Sequence, residues 1–127
     1  MVYLDSSAAT KLILREPETR ALRTFVGTEH AVSSRLLRTE VIRAVRRFGP
    51  HLMTAARSAI GHIELINPEE STWELAGMLD PADLRSLGAL HLATALELDD
   101  EIDALVTYDR RLADAARAHG LAVSAPA

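Results

Sequence analysis

Short apolar runs and longer amphipathic segments alternate along the chain. Each apolar run has the length and composition of a buried β-strand, and each amphipathic segment repeats its apolar residues at helical spacing. The predicted strands cover residues 2–4, 30–33, 63–66, 104–107 and 121–123. Strands that alternate with helices in this way are typical of a parallel sheet with helices on both faces.

Turn and capping residues delimit the helical segments. Ser6 and Ser7 follow Asp5 before the first apolar-periodic run, and Gly49–Pro50 stops a strong amphipathic pattern. The predicted helices cover residues 8–15, 17–27, 35–48, 51–61, 71–79, 84–98 and 110–119. The helix over 35–48 has an apolar stripe of Leu37, Val41, Ala44, Val45 and Phe48, and the helix over 71–79 has Trp73 and Leu75 as its main apolar residues.

The length and composition fit one compact domain over residues 1–127, and the alternating elements make it an α/β domain. The chain has 127 residues, of which 48% are hydrophobic, so a real core is feasible. It has no cysteine, which excludes disulfides and thiolate metal sites and suits a reducing cytoplasm. No apolar run approaches a membrane span, and the first residues lack the basic region of a signal peptide.

The charge distribution limits how the chain can meet nucleic acid. A net charge of −4 argues against binding through bulk positive charge, although local contacts with RNA remain open. Five arginines fall within one short stretch, and they form either a solvated helix face or a phosphate-contacting one: Arg35, Arg38, Arg43, Arg46 and Arg47.

Two aspartates follow predicted strands. Asp5 ends the first strand and Asp109 ends the strand over 104–107, so both should lie where the carboxyl ends of parallel strands meet and where such folds bind ligands. Each could also simply cap the helix that follows it.

Glu40 lies three residues after Leu37 and four before Ala44, which places it on the apolar face of its helix. A glutamate there is costly unless it is paired, protonated or metal-bound. A salt bridge to a buried arginine, or a position at the edge of the stripe, is the structural alternative.

Together these acids suggest hydrolysis of a phosphodiester. Clustered carboxylates repel one another, and a hard divalent cation such as Mg²⁺ or Mn²⁺ relieves that repulsion. Such an ion can orient or deprotonate an attacking water and stabilise charge on a phosphodiester. The sequence shows no Gly-rich phosphate loop, no nucleophile elbow of a serine hydrolase and no His-rich zinc site.

Four segments together resemble the PIN domain, and closely the VapC toxins of bacterial toxin–antitoxin systems. VYLDSSAATKLI resembles the family's first strand with its aspartate, here Asp5, and SSRLLRTEVIRAVRR resembles its second-acid helix, with Glu40 in the acid's place. LRSLGALHLATALEL resembles the helix of the third acid, and LVTYDRRLADAARAHGL resembles the last strand and helix, with Asp109 as the fourth acid. The likeness spans nearly the whole chain in the right order.

Gly88 departs from this pattern. The resemblance implies an aspartate and metal ligand just before ALHLA, where this chain has Gly88. In a helix interior, glycine costs about 1 kcal/mol relative to alanine. The position shares a face with Leu84, His91 and Ala95 and should point inward. Close helix–strand packing is one explanation for the glycine, and a lost ligand is the preferred one.

Neighbouring polar residues are assigned lesser roles. Asp80 and Asp83 are not expected to replace the missing acid. Ser6 and Thr107 either orient waters or act as ordinary cap and strand residues. His91 is expected to be a packed, hydrogen-bonded helix residue rather than a ligand.

The resemblance implies a three-layer α/β/α PIN fold and a Mg²⁺-dependent toxin endoribonuclease, with Mn²⁺ as an alternative ion. Asp5, Glu40 and Asp109 would be catalytic and metal-binding, and the loss of the acid at Gly88 should impair activity. A VapB-like antitoxin, an RNA substrate and a homodimer are the implied partners, and the cytoplasm the implied location. The alternatives are an inactive PIN-fold module that still binds antitoxin or RNA, and a generic α/β fold with unrelated acids.

Overall fold

The computed structural model describes residues 1–127. Its centre is a parallel sheet of five strands in the order β3-β2-β1-β4-β5. The strands are β1 (Val2–Leu4), β2 (Ala31–Ser34), β3 (Ile63–Ile66), β4 (Ala104–Val106) and β5 (Val123–Ser124). β1 is the middle strand, and its neighbours β2 and β4 run in the same direction.

Seven helices connect and cover these strands. They are α1 (Ser6–Ile13), α2 (Thr19–Val26), α3 (Leu37–Arg46), α4 (Met53–Gly61), α5 (Glu70–Met78), α6 (Ser86–Leu98) and α7 (Arg110–Ala118). Short 3₁₀ turns occupy Pro50–Leu52 and Asp99–Glu101. No helix is both long and apolar enough to cross a membrane.

Side-chain alternation in the short strands creates two cores. Val2 and Leu4 pack with apolar residues of α1 to α4 on one face of the sheet, and Tyr3 packs with α6 and α7 on the other. A smaller cluster joins α5 to α6. The predicted three-layer α/β/α arrangement with a short parallel sheet is therefore confirmed.

One apolar prediction at the helix surfaces is wrong, and a second large apolar residue is exposed. Phe48 lies beyond the end of α3 and is 60% exposed, because the helix stops at Arg46 before this side chain turns toward the core. Trp73 is 50% exposed, whereas Thr72 and Ala76 of the same helix are buried. Of the two main apolar residues predicted for α5, Leu75 packs against the cluster that joins α5 to α6, and the small residue Ala76 lies within that cluster.

Most element boundaries differ from prediction by one to three residues, and two of these differences affect the core or the site. The last strand is Val123–Ser124 rather than 121–123, and Leu121 packs against the core before the strand begins. α6 begins at Ser86, not near residue 84, so Gly88 lies in the first turn of the helix and not in its interior. This second shift matters for the site.

Candidate active site

Asp5 and Asp109 meet at the carboxyl edge of the sheet, as predicted. β1 and β4 pair with Leu4 opposite Val106, so the turns that leave the two strands lie side by side. Each aspartate also caps a helix: Asp5 accepts the amide of Ala8, and Asp109 accepts the amides of Arg111 and Leu112. Capping engages only Oδ1 of each side chain, so it does not exclude a second role for the carboxylates.

Asp5 is buried, with 3% of its surface exposed. Its Oδ1 accepts hydrogen bonds from Ser7 Oγ at 2.7 Å and the Ala8 amide at 3.0 Å, and its Oδ2 accepts one from Thr107 Oγ1 at 2.6 Å. Burial raises the pKa of Asp5 above its ordinary value, and these three hydrogen bonds act in the opposite direction.

Glu40 reaches the same edge from α3. Its Oε2 accepts a hydrogen bond from Ser6 Oγ at 3.0 Å, and its Oε1 lies 2.6 Å from His91 Nε2. The partner is thus a buried histidine, not the buried arginine that the structural alternative proposed. His91 is 2% exposed and fully hydrogen-bonded, as predicted for a packed helix residue.

All three acids line one cleft of about 290 Å³, and Gly88 lies in its wall. A generic α/β fold with unrelated acids would leave Asp5, Glu40 and Asp109 apart, so the shared cleft argues against that alternative. Asp80 and Asp83 line a different depression beside α7, in agreement with the expectation that neither replaces the missing acid.

The carboxylates of the cleft are of the chemical type that binds a hard divalent cation, but they are not close enough together to hold one. Its carboxylate oxygens are the ligands that Mg²⁺ and Mn²⁺ prefer. However, no three His, Asp or Glu side chains lie close enough together to hold a metal ion. The ligand roles of Asp5, Glu40 and Asp109 therefore stay predictions.

The space at Gly88 is open to a larger residue. A Cβ built there meets only the Leu84 side chain, at 3.5 Å, which is an ordinary contact. Close helix–strand packing therefore does not explain the glycine. Its backbone is not in the left-handed region either, so no conformational requirement demands it.

Ser6 and Thr107 were expected to orient waters or to act as cap and strand residues, and the pattern of the sequence did not indicate Ser7, Arg85 or Arg111. Ser6 and Thr107 donate directly to Glu40 and Asp5. Ser7 Oγ joins the two turns, since it donates to Asp5 and accepts the Tyr108 amide. Arg85 and Arg111 line the acidic cleft, and only their proximity to the acid-bearing segments could have indicated them.

Tyr3 was also missed, although its position carried a signal. Its hydroxyl is buried beside His91 and accepts the Ser34 amide. A tyrosine in a predicted buried strand must find a hydrogen-bond partner for its hydroxyl, and that requirement could have drawn attention to it.

The five arginines of the basic stretch are all exposed, and none lines the acidic cleft. This arrangement favours the solvated helix face over direct phosphate contact at the cleft.

Two substitutions of Asp109 should separate its capping from its charge. Asp109→Ala removes the acceptor for two amides of α7, and we expect the free energy of unfolding to fall by about 1 kcal/mol. Asp109→Asn keeps a good cap and should retain stability. Urea unfolding measures both; equal losses in the two variants would show that the carboxylate charge, not the cap, stabilises the fold.

The fold and the acidic edge agree with a known family. Residues 2–118 match the family model described as the PIN domain. The chain therefore belongs to the PIN-domain family.

Similarity to curated relatives places the chain in the VapC group of that family. The chain is 48% identical to Ribonuclease VapC46 of Mycobacterium tuberculosis, over 98% of this chain and 97% of the relative. It is 40% identical to Ribonuclease VapC47 of the same species, over 99% of this chain and 97% of the relative.

A solved structure shows the same fold at low identity. The crystal structure of Mycobacterium tuberculosis VapC20, described as a toxin that cleaves the sarcin–ricin loop, matches with a TM-score of 0.76. The match covers 99% of this chain and 100% of VapC20 at 16% identity, so it supports the architecture alone.

Proposed function

We propose that this chain is a VapC-type toxin built as a metal-dependent endoribonuclease, and that Gly88 leaves it impaired. Residues 1–127 would act as one PIN domain. The observation that carries the proposal is the single cleft lined by Asp5, Glu40 and Asp109, from three separate segments of a VapC-like chain. The test is RNA cleavage by this chain beside its Gly88→Asp variant.

Asp5, Glu40 and Asp109 would hold Mg²⁺ or Mn²⁺. When bound, such an ion supplies an activated water and offsets the charge that develops on the phosphodiester. The protein's own contribution is orientation: Thr107 and Ser7 fix the Asp5 carboxylate, and Ser6 fixes one oxygen of Glu40. Asp109 leaves Oδ2 outside the capping bonds, free to face the cleft.

The second candidate function is an inactive module that still binds antitoxin or RNA. It is favoured by Gly88 and by the absence of three ligands close enough to hold an ion. The loss of outer hydrogen-bond partners alone often weakens a metal site 10–100-fold, and a lost direct ligand should weaken it at least as much.

Arg85 and Arg111 are proposed to contact the RNA backbone. Both are exposed, both line the acidic cleft, and neither belongs to an ion pair. Arg85 precedes α6 and Arg111 lies in the first turn of α7, so they reach the cleft from two elements. In a chain of net charge −4, such local cations can hold phosphates beside the carboxylates.

Replacing either arginine should weaken RNA binding in a salt-dependent way. For Arg85→Gln or Arg111→Gln, we expect the slope of log K against log salt to lose about 0.7 for each phosphate contact removed. Fluorescence anisotropy with a short single-stranded RNA and Mg²⁺ measures this without requiring cleavage. Arg110→Gln is the matched control, since it removes the same charge from outside the cleft. Equal slopes in all three variants would contradict the assignment.

The proposed partners are a VapB-like antitoxin and a second copy of the chain. Leu87 is 51% exposed in the wall of the cleft, where an antitoxin segment could cover it together with the acids. Size-exclusion chromatography with light scattering tests the homodimer directly.

A further inference from the structure

A buried chain of polar groups connects β2 to Glu40 through two residues that the proposed chemistry does not use. The Ser34 amide donates to Tyr3 Oη at 3.1 Å. Tyr3 Oη lies 2.8 Å from His91 Nδ1, and His91 Nε2 lies 2.6 Å from Glu40 Oε1. Tyr3 and His91 are both almost completely buried, and their rings meet edge to face.

The fixed amide donor of Ser34 is compatible with one continuous direction of donation along this chain. The Ser34 amide can only donate, so Tyr3 Oη accepts there and has its own proton to place. Donation to His91 Nδ1 makes that nitrogen an acceptor, and in a neutral imidazole the proton then lies on Nε2. In that arrangement Nε2–H would donate to Oε1 of Glu40, a residue that lines the cleft.

We propose that Tyr3 and His91 are positioning residues that fix the His91 tautomer and thereby hold the Glu40 carboxylate in place at the cleft. The role rests on the proposed function, because it concerns the carboxylate that would bind the metal. Both carboxylate oxygens of Glu40 are then hydrogen-bonded, Oε1 to His91 and Oε2 to Ser6. A carboxylate with both oxygens oriented loses less freedom when it engages a cation or water, so its affinity for metal should depend on these partners.

The tautomer can be read without metal or activity. In ¹⁵N-histidine-labelled protein at neutral pH, long-range ¹H–¹⁵N spectra should show His91 with Nε2 protonated and Nδ1 unprotonated. Tyr3→Phe removes the donor to Nδ1, and we expect a mixture of tautomers. Tyr108→Phe is the control: it also removes a tyrosine hydroxyl, one that donates to the Pro126 carbonyl, and it should leave His91 unchanged. A His91 ring protonated on Nδ1 in the parent overturns the proposal.

Metal affinity tests the positioning role. In the Gly88→Asp protein, electron paramagnetic resonance with Mn²⁺ should show binding weakened about 10-fold by His91→Leu. His91→Gln can still place an N–H near Glu40 and should recover most of that loss. Tyr3→Phe should give a smaller loss with the fold retained in circular dichroism.

The outcomes separate this proposal from the proposed function. Unchanged Mn²⁺ affinity in folded Tyr3→Phe and His91→Leu overturns the positioning role, and so does an equal loss with Gln and Leu. If Gly88→Asp binds no Mn²⁺ at all, the metal site itself fails, while the tautomer spectra still report on the chain from Ser34 to His91. The positioning role is supported if Tyr3→Phe loses the Nε2–H tautomer while Tyr108→Phe keeps it, and if His91→Gln recovers most of the metal affinity that His91→Leu loses.

Discussion

Gly88→Asp should raise the nuclease activity that, as we propose, Gly88 impairs. We expect metal-dependent cleavage of RNA to rise about 100-fold or more, since even indirect losses at metal sites cost 10–100-fold. The physical reason is that Asp5, Glu40 and Asp109 line the cleft but are not close enough together to hold an ion, and an acid at position 88 adds a further ligand in the wall of the same cleft. Initial cleavage rates of a fluorescent RNA with Mg²⁺, for both proteins side by side, measure the change.

The fold should accept the new side chain. A Cβ at position 88 makes only an ordinary contact with Leu84, and the backbone there is helical. Because α6 begins at Ser86, the aspartate would lie in the first helical turn, where a negative charge meets the positive end of the helix dipole. Without metal, its repulsion by the other acids opposes this gain, so we expect little change in stability.

Two controls identify the charge as the cause. Gly88→Asn has the same shape without the carboxylate and should remain as inactive as the parent. Gly77→Asp adds an acid on the exposed face of α5, where a Cβ meets nothing, and should also change nothing. Strong cleavage by the parent would contradict the lost-ligand interpretation. No cleavage by folded parent or folded Gly88→Asp would contradict the nuclease assignment.

The sequence was sufficient to predict the fold and the acids because both depend on local patterns. Asp5 and Asp109 each follow an apolar strand directly, so alternating strands and helices were enough to bring them to one edge. Glu40 stood out as an acid on an apolar helical face. Its placement in the cleft follows from that periodicity.

The contacts that orient these acids could not be predicted, because they join distant parts of the chain. Thr107 lies 102 positions from Asp5, and His91 lies 51 positions from Glu40. Periodicity places a residue on a face, but side-chain geometry decides which hydroxyl or imidazole it meets. The start of α6 was misjudged for a related reason: Leu84 continues the apolar pattern, yet it packs from the preceding turn.

Asp5→Asn should remove activity while leaving the metal-free protein at least as stable as the parent. In the Gly88→Asp background we expect cleavage to fall about 100-fold or more, because a neutral amide is a poor ligand for a hard cation. Asn keeps an oxygen that can accept the Ala8 amide as a helix cap. Cleavage rates and urea unfolding, measured on the same preparations, test the two halves of this expectation.

The difference in stability between Asp5→Asn and the parent should depend on pH. Burial raises the pKa of Asp5, so the folded metal-free state binds the proton more tightly than the unfolded chain does. The stability that Asp5 contributes is therefore present below the ordinary carboxyl pKa and is lost as the pH rises through the raised value. Asn has no such loss, so the advantage of Asp5→Asn over the parent should be larger at neutral pH than at about pH 4.

Divalent metal should reverse the order of stability, so that the protein with Asp5 becomes more stable than the one with Asn. In the Gly88→Asp background, Mg²⁺ binds the folded state that retains Asp5 and raises its free energy of unfolding, while the Asp5→Asn variant gains little. A variant that is less stable than the parent at neutral pH without metal would show that the bonds from Ser7 and Thr107 outweigh the burial of the charge. The opposite result, together with stabilisation of the Asp5 protein by Mg²⁺, would mean that this carboxylate is kept at the sheet edge for its affinity for a cation, at the expense of the stability of the metal-free fold.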